Sequence, residues 1–350
     1  MAFKKVLLYW KQSPFQRIAF FNERDGSYSL TLNDFWQFNS GVEHIYHECL
    51  FTMPSLFPKK LNNVLVLGGG DGIGARELLK FPSVKRIDLI DLDPDIISFA
   101  KEHVIMTSIN KRSFHDAKVK ITTTDAKKWL DKSITRKYDL VIVDFPDPTC
   151  DDLWTLYEEK LYKKMAKRMH KDSVIAIQSS TYNTKTFDLI FSRLKKVFPY
   201  IIGYHTGASS VFCGFFLCSF KPIEQNRDIP KDSKWITPSL INQLLCLPVI
   251  KGRGREKRDR GLSGFGASFG KSAVAPPPAA PADVEIVESD SVVTTIRDLP
   301  LQVAVPPEDF FVTEDALDMP ASNSGVMRNP LILGGIAAVV IVPLVIKMVR

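Results

Sequence analysis

The residues best suited to chemistry fall in short motifs that combine glycine or proline with aspartate. The first is Gly68-Gly69-Gly70-Asp71-Gly72, which continues as Ile73-Gly74-Ala75. It is followed by Asp91-Leu92-Asp93-Pro94, Thr124-Asp125-Ala126 and Asp144-Phe145-Pro146-Asp147-Pro148. The run from Gly70 to Ala75 fits a dinucleotide-binding turn, and Asp91 lies about twenty residues on, where a ribose-binding acid belongs. Asp71 argues against a dinucleotide. Its charge stands inside the turn, where it repels a pyrophosphate and attracts a cation. A nucleoside bearing a sulfonium and a free amine fits better. In that reading Asp91 accepts from ribose hydroxyls, Asp125 from the adenine amino group, and Asp71 pairs with an ammonium.

Such motifs need strands to present them. Apolar runs at 64–67, 86–90, 119–122 and 138–143 each stop just before one of the motifs, and helical periodicity fills most of the intervals. Pro94 stands at a first helical turn, where its missing N–H costs nothing. Further strands are expected at 173–178, 200–205 and 211–220, the last as a hairpin partner with Phe215 and Phe216 in the sheet core. This alternation predicts a Rossmann-like α/β fold, with a parallel sheet, helices on both faces and an antiparallel edge. Ligands of such sheets lie outside the carboxyl ends of the strands, so four carboxylates would share one edge. One of them is readily a helix N-cap; four in register exceed what capping requires. Gln178, at the end of a strand, either lines this pocket or satisfies backbone groups. Tyr46 and His47 either reach the pocket or pack on the sheet.

Composition bounds the rest. The chain has 350 residues, 45% hydrophobic and 24% charged, with room for a sizeable core. Residues 1–55 read as an N-terminal β-hairpin domain, with segments 15–22 and 28–32 around an Asp25-Gly26 turn. Residues 56–250 read as the catalytic domain and 251–329 as a disordered linker that is basic, then Pro-rich, then acidic. Residues 330–350 read as a single-pass transmembrane anchor: 331–346 are uncharged and apolar, and Lys347 and Arg350 follow. No signal-peptide pattern opens the chain. Five scattered cysteines without a CxxC pair argue for reduced thiols and against a zinc site, placing the catalytic domain in the cytosol. Net charge is +7, but six basic and two acidic residues crowd into 251–260 without interleaved aromatics. That pattern fits a solvated linker or membrane contact and excludes a specific nucleic-acid reader.

Taken together, the motifs resemble those of the spermidine/spermine synthase family of polyamine aminopropyltransferases. The resemblance runs from about residue 13 to residue 220. It rests on Ser13-Pro14-Phe15-Gln16-Arg17-Ile18, on Gln37 within Asn33-Asp34-Phe35-Trp36-Gln37, and on Tyr46-His47-Glu48. To these are added the glycine turn, Asp91-Leu92-Asp93-Pro94, Asp125, and the segment from Tyr138 to Pro148. The Asp-Leu-Asp-Pro and Asp-Phe-Pro-Asp-Pro forms are similar to those of the membrane-associated branch. The resemblance implies decarboxylated S-adenosylmethionine as co-substrate, with no metal, held by Gln16, His47, Gly70, Asp71, Asp91, Asp125 and Ala126. It implies Tyr46 and Asp147 at the amine acceptor, Asp144 as base, a polyamine as the second substrate, and a homodimer through the N-terminal region.

The chain also departs from the family pattern. Ile73 replaces a glycine, Asp91 a glutamate, Val42 the first acid of an Asp-Glu pair, and Thr124-Asp125-Ala126 a Gly-Asp-Gly. Ala208-Ser209-Ser210-Val211 stands where Tyr-Pro-Ser-Gly is usual, so the acceptor wall differs more than the donor pocket. Two other readings fit the same sheet: an AdoMet-dependent methyltransferase, and a non-catalytic membrane-tethered scaffold derived from such an enzyme.

Overall fold

The structure, a computed structural model, describes residues 5–132, 135–208 and 210–245. The segments read as linker and anchor, 251–329 and 330–350, lie outside the described residues. Among the described residues, no helix is long and apolar enough to cross a membrane.

The chain opens with an antiparallel meander of β1 (Val6–Gln12), β2 (Arg17–Asn22), β3 (Tyr28–Leu32) and β4 (Phe35–Asn39). β2 and β3 are the expected hairpin; Asp25 fixes its turn by accepting from the Ser27 N–H at 2.9 Å. β1 and β4 flank the pair and were not expected. β4 escapes sequence reading because Phe35 and Trp36 are both exposed, which spoils the alternation of a half-buried strand. Ile18, Phe20, Leu30 and Phe38 point inward and join the core of the second sheet.

Next come α1 (Glu43–His47), a π-helical turn at Glu48–Thr52, and then the alternating segments. In order these are β5 (Asn63–Gly68), α2 (Ile73–Leu79), β6 (Arg86–Asp91), α3 (Pro94–Glu102), α4 (Val104–Ile109), β7 (Val119–Thr123) and α5 (Ala126–Asp131). They continue with β8 (Tyr138–Asp144), α6 (Asp151–Trp154), α7 (Glu159–Lys167), β9 (Met169–Gln178) and α8 (Lys185–Leu194). β10 (Tyr200–His205), β11 (Gly214–Ser219) and α9 (Pro238–Leu245) close the series.

The seven strands form one sheet in the order β10-β11-β9-β8-β5-β6-β7. β5 to β9 pair in parallel, while β11 runs antiparallel to both β9 and β10. This is the predicted Rossmann-like sheet with an antiparallel edge. Side chains alternate between two cores, as a period of two requires: Val64, Val66, Leu140 and Ile142 face one, and Leu65, Leu67, Val141 and Val143 the other. Chain order reverses between β5 and β8, so the switch point lies where Gly68 pairs in register with Asp144.

Gly68 is needed at that point for two reasons. Its φ is +91°, and a Cβ there would stand 2.1 Å from the Asp144 carbonyl oxygen. Backbone strain and an overlap with main chain would add, and neither neighbour is a flexible side-chain end. Gly68→Ala is therefore expected to lose about 3 kcal/mol or more of stability. Chemical denaturation checks this; a wild-type midpoint would refute the close approach.

Candidate active site

α1 and the π-helical turn that follows pack beside the glycine turn after β5, and between them runs a line of buried charges. Asp71 faces His47, with 3.7 Å between Oδ2 and Nε2. The other ring nitrogen of His47 lies 3.1 Å from Glu43 Oε2. Glu43 receives both terminal nitrogens of Arg76, at 2.8 and 2.9 Å. Arg76 also meets Glu77 at 2.9 Å, Glu77 meets Lys80 at 2.7 Å, and Lys80 lies 3.8 Å from Glu48. Glu48 ends the line and is fully buried; its carboxylate accepts the backbone N–H groups of Lys234, Trp235 and Ile236 at 2.6 to 2.9 Å. Signs alternate from end to end.

The line contains four carboxylates and three cations, so it carries one negative charge more than it neutralises. Asp71 is its end on the glycine turn. Burial alone would strip His47 of its proton, yet the carboxylates of Asp71 and Glu43 on either side outweigh burial and raise its pKa to about 10. Glu43 moves the other way: burial opposes its charge, but His47 and Arg76 hold it down at about 2. His47 is thus an imidazolium at neutral pH.

The strand ends supply further carboxylates. Asp71 Oδ1 accepts from the Ile73 N–H at 2.8 Å, which fixes the turn. Asp91 Oδ1 accepts from the Asp93 N–H at 3.0 Å. A Cβ on Gly70 would lie 2.7 Å from Asp91 Oδ2, so only glycine lets that carboxylate approach the turn. Burial pushes Asp91 up to about 6; the Asp93 N–H opposes this, and the carboxylates of Asp93 and Asp71 add to the rise. Asp144 Oδ1 accepts from the Tyr46 hydroxyl at 2.6 Å. Burial likewise pushes Asp144 up to about 6, with Tyr46 opposing and Asp71 contributing. Burial, aided by Asp144, holds the Tyr46 phenol well above its usual pKa, so it stays a donor.

The site residues named from sequence therefore separate into groups. Tyr46, His47, Gly70, Asp71, Asp91 and Asp144 come together around the glycine turn. Asp147 lies beyond Asp144, where Gln178 Nε2 donates to one carboxylate oxygen and Ser180 Oγ to the other at 2.9 Å. Gln178 thus reaches the site, and the Tyr157 hydroxyl holds its carbonyl at 2.9 Å. Asp125 and Ala126 lie one strand further out. Asp125 caps α5 by accepting from Lys127 N and Lys128 N through Oδ1, so one of its oxygens does the bland task of a cap. Gln16 hydrogen-bonds Asp93, at 2.9 Å, as does Ser13 at 2.7 Å. Asp93 also caps α3 through Asp95 N.

Several contributors were not singled out from sequence: Glu43, Arg76, Glu77, Lys80, Tyr157, Ser180 and Cys213. An acid at i and a histidine at i+4 on one helix was a readable sign for Glu43 and His47. Ala208 and Val211, in the segment that departs from the family pattern, pack with Ile45 in a small apolar cluster that Tyr46, Cys213 and Trp235 flank. Burial raises the Cys213 thiol to about 12, and nearby Asp147 and Asp144 add to this, so it is neutral. Among the described residues, no group of three or more His, Cys, Asp or Glu is arranged to hold a metal ion.

Comparison with known proteins identifies the family and the fold. The spermine/spermidine synthase domain profile matches residues 43–224. A polyamine aminopropyltransferase of Leptospira interrogans is 34% identical over 246 residues, covering 69% of this chain and 49% of that protein. Polyamine aminopropyltransferase 2 of Aquifex aeolicus is 36% identical over 193 residues, covering 54% of this chain and 38% of its own. The chain spans about half the length, or less, of these curated relatives. Among solved structures, a spermidine synthase in complex with the transition-state analogue AdoDATO superposes with a TM-score of 0.63 at 26% identity. The match covers 69% of this chain and 86% of that one.

The His47 linkage can be tested through stability. Its folded pKa lies above the free value of 6.5, so its contribution is complete below pH 6.5 and is lost as pH rises through about 10. His47→Ala would leave Glu43 and Asp71 without the cation between them and is expected to cost about 3–5 kcal/mol at pH 6. It should also flatten the stability decline above neutral pH. Urea titrations at several pH values check both; unchanged stability at pH 6 would contradict the linkage.

Proposed function

Since the chain belongs to the spermine/spermidine synthase family, we propose that it moves an aminopropyl group from decarboxylated S-adenosylmethionine to a di- or polyamine. The observation that carries this reading is the state of Asp144. Its carboxylate is partly buried at the switch point, accepts from a neutral donor, and lies with Oδ2 close to Gly69. With Asp71 and Asp91 beside it, the site brings three carboxylates together, and His47 is the cation that acts on Asp144 among the described residues. A donor with a sulfonium and an ammonium, and an acceptor amine, would supply the missing positive charge.

The chemistry follows from the charges. The amine must lose a proton before its lone pair can attack the carbon beside the sulfonium. Asp144, with a pKa near 6, is ionised at neutral pH and matched to taking that proton. The new N–C bond forms as the C–S bond breaks, its electrons return to sulfur, and methylthioadenosine leaves as a neutral thioether. No acid is needed for that departure. Tyr46 orients the base, while Asp147 attracts the amine. Asp71, Asp91, Asp125 and Ala126 would hold the nucleoside donor, with Gln16 acting through Asp93. Methyl transfer from AdoMet itself would set that donor's carboxylate against Asp71, so it is the weaker reading.

The whole-chain setting belongs to the same proposal. The catalytic domain at 56–250 would be tethered through the linker by the anchor at 330–350, facing the cytosol. The uncharged stretch 331–346 with Lys347 and Arg350 beyond it, together with free Cys49, Cys150, Cys213 and Cys218 among the described residues, supports this. The resemblance to the membrane-associated branch favours it too, and pairing through the N-terminal sheet would give a homodimer.

The full chain, incubated with decarboxylated AdoMet and putrescine or spermidine, is expected to release methylthioadenosine. Asp144→Asn should abolish release, and wild-type kcat/KM should fall as pH drops through about 6, where Asp144 becomes protonated. The same substitution removes a carboxylate whose folded pKa is raised, so it should also stabilise the fold at neutral pH, by roughly 2–3 kcal/mol. Activity retained by a folded Asp144→Asn protein would refute the base assignment.

A further inference from the structure

Ser180 lies in the loop between β9 and α8 with φ of +62°, a left-handed conformation that costs a non-glycine residue energy. The fold holds it there from both sides: its carbonyl accepts the Gly214 N–H at 2.7 Å, and the Ser179 N–H donates to the Gly214 carbonyl at 2.9 Å. Its hydroxyl donates to Asp147 Oδ2 at 2.9 Å. Gln178 secures the other oxygen of the same carboxylate, and its own orientation is set because its carbonyl accepts from the Tyr157 hydroxyl. Asp147 itself sits in an irregular segment after β8, outside any helix or strand. Two neutral donors on the neighbouring strand end therefore fix a carboxylate that its own backbone does not. A cation in either place would neutralise Asp147; neutral donors orient it and leave its charge intact.

We propose that Ser180 is a positioning residue for Asp147, kept in a left-handed conformation so that its hydroxyl aims this carboxylate at a cationic amine acceptor. The assignment rests on the function proposed above and extends it to the acceptor side, where Ala208 and Val211 depart from the family pattern. It explains why the strained backbone carries serine and not glycine: glycine would relieve the strain and lose the donor.

That contrast sets the experiment, with the full chain and with putrescine and spermidine as probe amines. Ser180→Gly is expected to keep or raise the unfolding midpoint and to raise KM for the amine roughly tenfold. KM for decarboxylated AdoMet should stay within twofold of wild type. Ser180→Ala should raise the amine KM equally, with a lower midpoint than Ser180→Gly. Ser180→Asn, which tolerates positive φ and restores a donor, should recover part of the loss. If wild type turns over and neither Gly nor Ala alters the amine KM, Ser180 is a turn residue and the proposal fails alone. If wild type transfers nothing to either amine, the proposed function fails and this assignment falls with it.

Discussion

The site depends on one buried line of alternating charges. It runs from Asp71 through His47, Glu43, Arg76, Glu77 and Lys80 to Glu48, and it joins three segments far apart in sequence. At one end is the glycine turn after β5; at the other, Glu48 gathers three backbone N–H groups from residues 234–236. Between them lies α1, which carries Tyr46 on to Asp144. Buried ions of this kind are tolerated only when each finds a partner, so the arrangement has little freedom to shift. If the line is broken, the turn, the helix and Asp144 lose their common reference.

The same line leaves the pocket with its sign. Its charges do not cancel, and the excess is negative. Asp91 and Asp144 add carboxylates that receive neutral donors, the N–H groups of Asp93 and Gly70 for Asp91 and the Tyr46 hydroxyl for Asp144. Other acids in the neighbourhood are largely occupied. Asp93 caps a helix and receives Ser13 and Gln16, and Asp125 gives one oxygen to capping. The distinction separates acids that build the fold from those left to meet a cation. Asp144, raised by burial yet ionised near neutral pH, is the one best matched to proton transfer.

Much of this was legible in the sequence wherever the cause was local. Strands β5 to β8 could be read because each is a short apolar run that ends at its motif, and the glycine turn because Asp71 is written inside it. The joining of Tyr46 to Asp144 followed from a family resemblance, not from spacing; nothing local links residues 98 apart. The charge line was not legible, since Glu43 and Arg76 are 33 residues apart and Glu48 closes on a segment 186 to 188 residues away. Lys, Arg and Glu on helices usually mark solvated faces, and only the packing reveals that these are inside. Asp125 and Asp93 show the opposite failure: pattern reading noted the acids but could not tell a cap from a ligand.

The central claim is that the pocket's uncompensated negative charge selects a cationic nucleoside lacking a carboxylate. Calorimetric affinities of the full chain for decarboxylated AdoMet and for AdoMet, at neutral pH, test it most directly. The two ligands differ only by the carboxylate that would meet Asp71. The decarboxylated ligand is expected to bind roughly tenfold more tightly or better. Equal affinity, or a preference for AdoMet, would contradict it.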